Sequence, residues 1–176
     1  KSDWNDAKDG ELVLIQLKPG RQRSRHMTAK PAKVIKSFGS IDDARSISLI
    51  AIISQGIATE FPDDVLAEAK NSEEPVLEDR TDLRHIPLIT VDPSDARDHD
   101  DAIWAEMDMD PSNEGGCHII IAIADVAHYV RSGSALDREA AKRGNSTYFP
   151  DRVVPMLPES LSNGLCSLHE NEDRYT

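Results

Sequence analysis

The sequence predicts a mixed α+β fold. Three observations carry that expectation. Short apolar runs bounded by Gly, Pro and polar turn residues recur along the chain, as strands do. Between them lie helical stretches with recognisable start and stop residues. No segment repeats and none is of low complexity, so solenoids and fibrous folds are excluded.

Residues 11–17 (ELVLIQL) read as a strand between Gly10 and the Lys18-Pro19-Gly20 turn. Arg21, Arg23 and Arg25 alternate with polar residues, as in a solvent-facing strand or loop. Lys33–Phe38 is a second short strand. Ser40 begins a helix with Asp43 three residues on, a capping arrangement. Ile47, Ile50, Ala51 and Ser54 share one face of it, and Gly56 ends it. Pro62 in a first helical turn, followed by Asp63 and Asp64, starts another, since Pro suits that position and acids suit the positive helix end. Residues 70–79 form a polar linker and the expected domain boundary. A strand near Ile86–Val91, an acidic loop and a strand over Asp101–Met107 follow. After a turn through 110–116, Cys117–Ile123 reads as a buried strand. Ser134–Arg143 is a helix with Ser134 as N-cap and Gly144 at its stop.

The chain has 176 residues, enough for one ordinary domain core, and 39% are hydrophobic. No stretch approaches the roughly 20 apolar residues of a membrane span, and no secretory signal is visible. The chain starts at Lys1 without Met and stops straight after a motif, so it reads as a piece of something longer. Two cysteines make no disulfide framework. Cys117 opens an apolar strand and is expected to be packed, and Cys166 has no CxxC partner. A reduced, cytoplasmic protein is the simplest reading, and a monomer the default state. The net charge of −12 is unevenly spread: residues 1–36 carry nine Lys or Arg against four acids, a net of +5, which leaves −17 for the rest. The basic part suits phosphates; the acidic part suits metal.

The segment Thr90–Ala102 is the most informative. Asp92, Asp95, Asp98, Asp100 and Asp101 place five carboxylates in ten residues. Two readings stand side by side: a solvated acidic turn, or a set of hard oxygen ligands for Mg²⁺ or Mn²⁺. An EF-hand is excluded, because counting from Asp92 puts Arg97 at the glycine position and Ile103 at the closing glutamate position. In an extended chain the adjacent Asp100 and Asp101 point to opposite sides, whereas Asp98 and Asp100 can share one. A tight loop can bring Asp92, Asp98, Asp100 and Asp101 around one cavity, where two divalent ions would make a hydrolytic centre for a phosphodiester.

The flanks extend the pattern. Residues 79–84 (DRTDLR), 123–130 (IADVAHYV), 143–148 (RGNSTY), 155–162 (PMLPESLS) and 165–168 (LCSL) occur in that order. With the acidic loop, this series resembles the start of the catalytic domain of the ribonuclease II/ribonuclease R family of bacterial exoribonucleases. The resemblance covers residues 79–176, with weaker similarity before. It implies a partial OB-like, cold-shock segment over 1–39, a helical connector over 40–78 and the N-terminal part of a mixed α+β RNB-type catalytic domain over 79–176. A β-meander packed beside the catalytic domain is the alternative for the first segment. The implied activity is 3′-to-5′ hydrolysis of single-stranded RNA to nucleoside 5′-monophosphates with Mg²⁺, or Mn²⁺ in its place. Asp92 and Asp101 would be direct metal ligands, Asp98 would support the metal or its water, and Asp100 would be the residue most needed for the chemical step, so that Asp98 and Asp100 are the catalytic candidates. Asp95 falls outside that set.

Tyr148 would stack on the base at the 3′ end; by itself a tyrosine beside Phe149-Pro150 reads as core. Arg21, Arg23 and Arg25 are the expected RNA contacts of the basic segment. His99 is a minor candidate ligand, His128 is expected to serve the fold, and Asp125 is expected to be a buried, hydrogen-bonded acid near the centre. The competing reading is a non-catalytic RNA-binding or interaction module, against which the presence of all four aspartates argues.

Overall fold

The computed structural model describes residues 3–18, 32–43, 45–77, 79–94 and 96–176. The chain divides into two compact units, Lys1–Ile57 with Tyr148–Arg152, and Ala58–Thr147 with Val153–Thr176. The mixed α+β class is as expected. The two units part at Ile57/Ala58, inside the helical connector expected over 40–78. The polar stretch is tied into the second unit, where the Val76 amide donates to the Tyr175 hydroxyl at 2.8 Å and that hydroxyl donates back to the Val76 carbonyl at 3.1 Å. Polar composition says that a stretch tolerates water, not what its backbone is bonded to.

In the first unit, β1 (Glu11–Leu17) pairs antiparallel with β2 (Ala32–Ser40), with register breaks between Glu11 and Val13 and between Leu14 and Ile15. α1 (Arg45–Ser54) begins five residues later than Ser40. Asp43 serves its start, accepting from the Arg45 amide at 2.9 Å, while the Ser46 hydroxyl donates back to the Ser40 carbonyl at 2.7 Å. Its buried residues are Ser46, Ser48 and Ile52, whereas Ile47 is 73% exposed and Ile50 is also exposed. The expected apolar face is therefore not the buried one. The helix is apolar nearly all round, so its periodicity selects no face.

In the second unit, α2 (Asp63–Lys70) follows Pro62, which sits at the N-cap and not inside the first turn. Asp63 and Asp64 at its start and Lys70 at its end complement the helix dipole. Val65 and Ala69 of α2 pack with Tyr129, Leu136, Leu157, Leu161 and Cys166 in one apolar cluster. α4 (Ala135–Arg143) is capped twice. The Ser134 hydroxyl accepts from the Asp137 amide, as expected, and the Glu68 carboxylate of α2 accepts from the Ala135 and Leu136 amides at 2.8 and 3.1 Å. Gly144 leaves the helix at φ 81°, a conformation that suits a residue without Cβ.

β3 (Asp101–Met107) and β4 (Cys117–Ile123) form an antiparallel ribbon in register from Asp101↔Ile123 to Met107↔Cys117. The expected strand over 86–91 reduces to one bridge, in which Ile89 and Ile103 exchange hydrogen bonds at 3.0 and 2.8 Å. The opposed Ala102 and Ala122 are buried, but Ile103, Ile119, Ile121 and Ile123 on the other face are exposed. β4 is thus not the buried strand its composition suggests, and Cys117 is exposed rather than packed. A two-stranded ribbon has two faces, and the described residues cover one. Four short elements have no sequence expectation: α3 (Val126–Tyr129), β5 (Thr147–Phe149), β6 (Arg152–Val154) and a π-helical turn over Leu161–Leu165. Each is too brief for hydrophobic periodicity to register.

Candidate active site

The acidic segment lies between the Ile89–Ile103 bridge and β3, and its backbone is irregular from Thr90 to Asp100 among the described residues. It is held at successive points. A turn closes with the Ala96 amide on the Pro93 carbonyl at 3.0 Å. The Ser167 hydroxyl donates to the Arg97 carbonyl at 3.1 Å and accepts from the His99 amide at 2.9 Å. The Leu168 amide donates to the His99 carbonyl and the Ala124 amide to the Asp100 carbonyl, both at 2.9 Å. Asp101 then enters the β3–β4 ladder opposite Ile123. Asp98 and Asp100 therefore sit on backbone fixed by residues distant in sequence, and Asp101 on a strand.

The electrostatics link four of the five acids. Partial burial, then the like charges of Asp98, Asp101 and Asp92, push the Asp100 carboxyl above the usual carboxylate range. The donor set is all carboxylate oxygen, which suits a hard divalent cation, and a cation would relieve the repulsion at Asp100. Among the described residues no three His, Cys, Asp or Glu side chains are already arranged to hold a metal ion. The four aspartates thus match such an ion in charge and ligand type, without a preformed cage. Asp95 lies outside the described residues.

The other candidates separate. Tyr148, on β5, is 63% exposed and belongs to the first unit, so it is not a core tyrosine; the buried tyrosine is Tyr129. Arg21, Arg23 and Arg25 lie outside the described residues. Asp125 accepts from Arg80 at 2.7 Å and from the His128 amide at 3.1 Å, at the start of α3. The Arg80 hydrogen bond leads in holding its carboxyl below the usual range, against its partial burial. It is an ion-paired helix cap. His99 presents its ring to His169 with centroids 5.7 Å apart, and His128 packs on Tyr129 and Tyr175, in keeping with a role in the fold. Burial pushes the Cys166 thiol up to about 11, with smaller contributions from Asp100 and Asp125, so it is inert at neutral pH. A cleft of about 1080 Å³ opens between residues 75–90 and 168–176, lined by Arg80, Arg84, His99 and Arg174 among others, and none of the four aspartates lines it.

Sequence reasoning did not assign Ser167 any role at the acidic loop. Its motif was legible, but a hydroxyl that reaches a backbone about seventy positions away leaves no mark in local spacing.

Comparisons with known proteins bear on the same stretch. Residues 80–176 match the family described as RNB domain. The chain is 46% identical over 172 residues to ribonuclease R of Vibrio parahaemolyticus serotype O3:K6, covering 96% of this chain and 20% of that protein. It is 54% identical over 129 residues to ribonuclease R of Acidithiobacillus ferrooxidans, covering 71% of this chain and 28% of the other. Among solved structures, Mycoplasma genitalium RNase R in complex with double-stranded RNA superposes with a TM-score of 0.78 at 31% identity, over 97% of this chain and 30% of that one. The same enzyme in complex with ribose methylated single-stranded RNA gives 0.78 and 31%. The chain spans between a fifth and just over a quarter of the length of these curated relatives, 20% and 28%.

Proposed function

The chain belongs to the RNB-domain family, and we propose that the protein it represents is a 3′-to-5′ exoribonuclease that hydrolyses single-stranded RNA to nucleoside 5′-monophosphates with Mg²⁺, in the cytoplasm. Because the chain spans only a fraction of the matched ribonucleases R, that activity is proposed for the whole protein and not for these 176 residues alone. The reading rests on one observation above the rest: Asp98, Asp100 and Asp101 stand on fixed backbone, and the charges of Asp92, Asp98 and Asp101 converge on Asp100.

In this reading Asp92 and Asp101 hold the divalent ion, and Asp98 supports it. When bound, the ion supplies the positive charge that makes a phosphodiester open to attack by water. Asp100 acts on the reacting groups, orienting water through its carboxylate oxygens. Tyr148 offers an exposed ring on which the 3′-terminal base stacks, worth about 1–3 kcal/mol and indifferent to base identity. The basic segment with Arg21, Arg23 and Arg25 contributes phosphate contacts.

Asp100→Asn in the full-length protein is expected to abolish hydrolysis and to leave the affinity for a single-stranded oligonucleotide unchanged, because the loss falls on the reacting groups. Turnover and binding measured on the same preparation check this. Near-normal turnover would remove Asp100 from the site, whereas a wild type that binds the oligonucleotide without hydrolysing it would favour a non-catalytic RNA-binding module.

A further inference from the structure

We propose that Ser167 is a positioning residue for the acidic loop, on the reading that this loop is the exoribonuclease centre. The loop needs such a residue because residues 97–99 are not in a strand and have no ladder to fix them. Asp98 lies in the middle of this stretch. The Ser167 hydroxyl spans it, donating to the carbonyl before Asp98 and accepting from the amide after it. The Leu168 amide adds a third bond, to the His99 carbonyl. The residue on either side of Asp98 is thereby held by two consecutive residues of a distant segment.

That segment is itself rigid. Ser167 is 0% exposed, so no solvent competes for its hydroxyl. Its amide donates to the Gly164 carbonyl at 3.0 Å, and the preceding Cys166 amide to the Leu161 carbonyl at 2.8 Å, which locks both to the π-helical turn. Arg174 donates through Nε to the Gly164 and Ser167 carbonyls at 3.1 and 2.9 Å. Leu161 and Cys166 belong to the apolar cluster built on α2 and α4. The hydroxyl therefore transmits the position of the core to the backbone that carries Asp98 and Asp100. This is the arrangement expected where an irregular loop has to hold carboxylates to fractions of an ångström.

The test uses the full-length protein and three measurements on Ser167→Ala: hydrogen exchange of the peptide spanning residues 96–100 without divalent metal, and kcat and KM on a single-stranded RNA oligonucleotide. Ser46→Ala is the control, since Ser46 is an equally buried serine in the first unit whose hydroxyl bonds the Ser40 carbonyl. We expect faster exchange confined to that peptide and a kcat lowered about 10–100-fold, as for groups that orient ligands from behind. KM should be unchanged, and the control should show neither effect. If Ser167→Ala does not fold, Ser167→Cys keeps the volume, weakens both bonds and carries the same test. Unchanged exchange at 96–100, unchanged kcat, or an equal loss of kcat in Ser46→Ala overturns the proposal while leaving the exoribonuclease reading intact. A wild-type protein inert toward RNA overturns both, and is told apart because it fails before any substitution.

Discussion

At Asp125 one carboxylate does two jobs, pairing with Arg80 and capping α3 through the His128 amide. Arg80 in turn lies over the Tyr175 ring, 4.3 Å from its centroid. Asp125→Ala removes cap and ion pair together and should cost about 1 kcal/mol at neutral pH. Asp125→Asn keeps a capping oxygen and loses only the charge. Because the folded-state carboxyl titrates below its usual value, its contribution is complete above the ordinary carboxylate range and is lost as pH falls through the folded-state value. The difference in stability between the wild type and Asp125→Asn should therefore shrink and vanish in acid; denaturant melts at several pH values measure it. A difference that persisted in acid would mean that the Arg80 pair is not its source.

At the scale of elements, α4 is tied at both ends to residues outside it. Glu68 of α2 meets its first amides, and Arg143 anchors its last turn. The Arg143 side chain, 6% exposed, pairs with Glu139 at 2.9 Å, donates to the Ala58, Glu60 and Pro155 carbonyls and lies 3.7 Å over the Phe61 ring. Burial opposes the Glu139 charge, but the hydrogen bonds from Arg143 and Lys142 hold its carboxyl below the usual range. Arg143→Met leaves the buried Glu139 carboxylate with Lys142 alone, removes hydrogen bonds to three carbonyls, and is expected to destabilise by about 3 kcal/mol. Adding Glu139→Gln should restore part of the loss. Urea melts of the single and double variants check this, and a double variant no better than the single would assign the cost to the carbonyls and the ring.

Across the whole molecule the net charge is −12, and residues 37–176 carry the negative excess. In the acidic segment the charges of Asp98, Asp101 and Asp92 repel that of Asp100 in the absence of a cation. Mn²⁺ or Mg²⁺ binding to the folded state alone stabilises it by RT ln(1 + [L]/Kd), about 2.7 kcal/mol at a hundredfold excess over Kd. Without the substrate phosphate that completes the coordination sphere the affinity should be weak, so a modest rise in melting temperature is expected at millimolar Mn²⁺. The rise should be absent in Asp92→Asn/Asp101→Asn. An equal rise in both proteins would mean general screening, and would leave the loop a solvated acidic turn. No described helix is long and apolar enough to cross a membrane.

The sequence by itself determined whatever is local or compositional. β1 (Glu11–Leu17), β3 and β4 have the limits expected of them, and Ser134 and Gly144 bound α4. These follow from turn residues, alternation and caps, which act within a few positions. The four aspartates were legible because they lie within ten residues. Only the tertiary structure decided what depends on distant partners. The buried side of α1, the exposure of Ile119, Ile121 and Ile123, and the tying of Val76 to Tyr175 were not legible for that reason. Neither was the hold of Ser167 on the backbone around Asp98. Burial and long-range hydrogen bonds are properties of pairs brought together by folding, and one member of a pair does not specify the other.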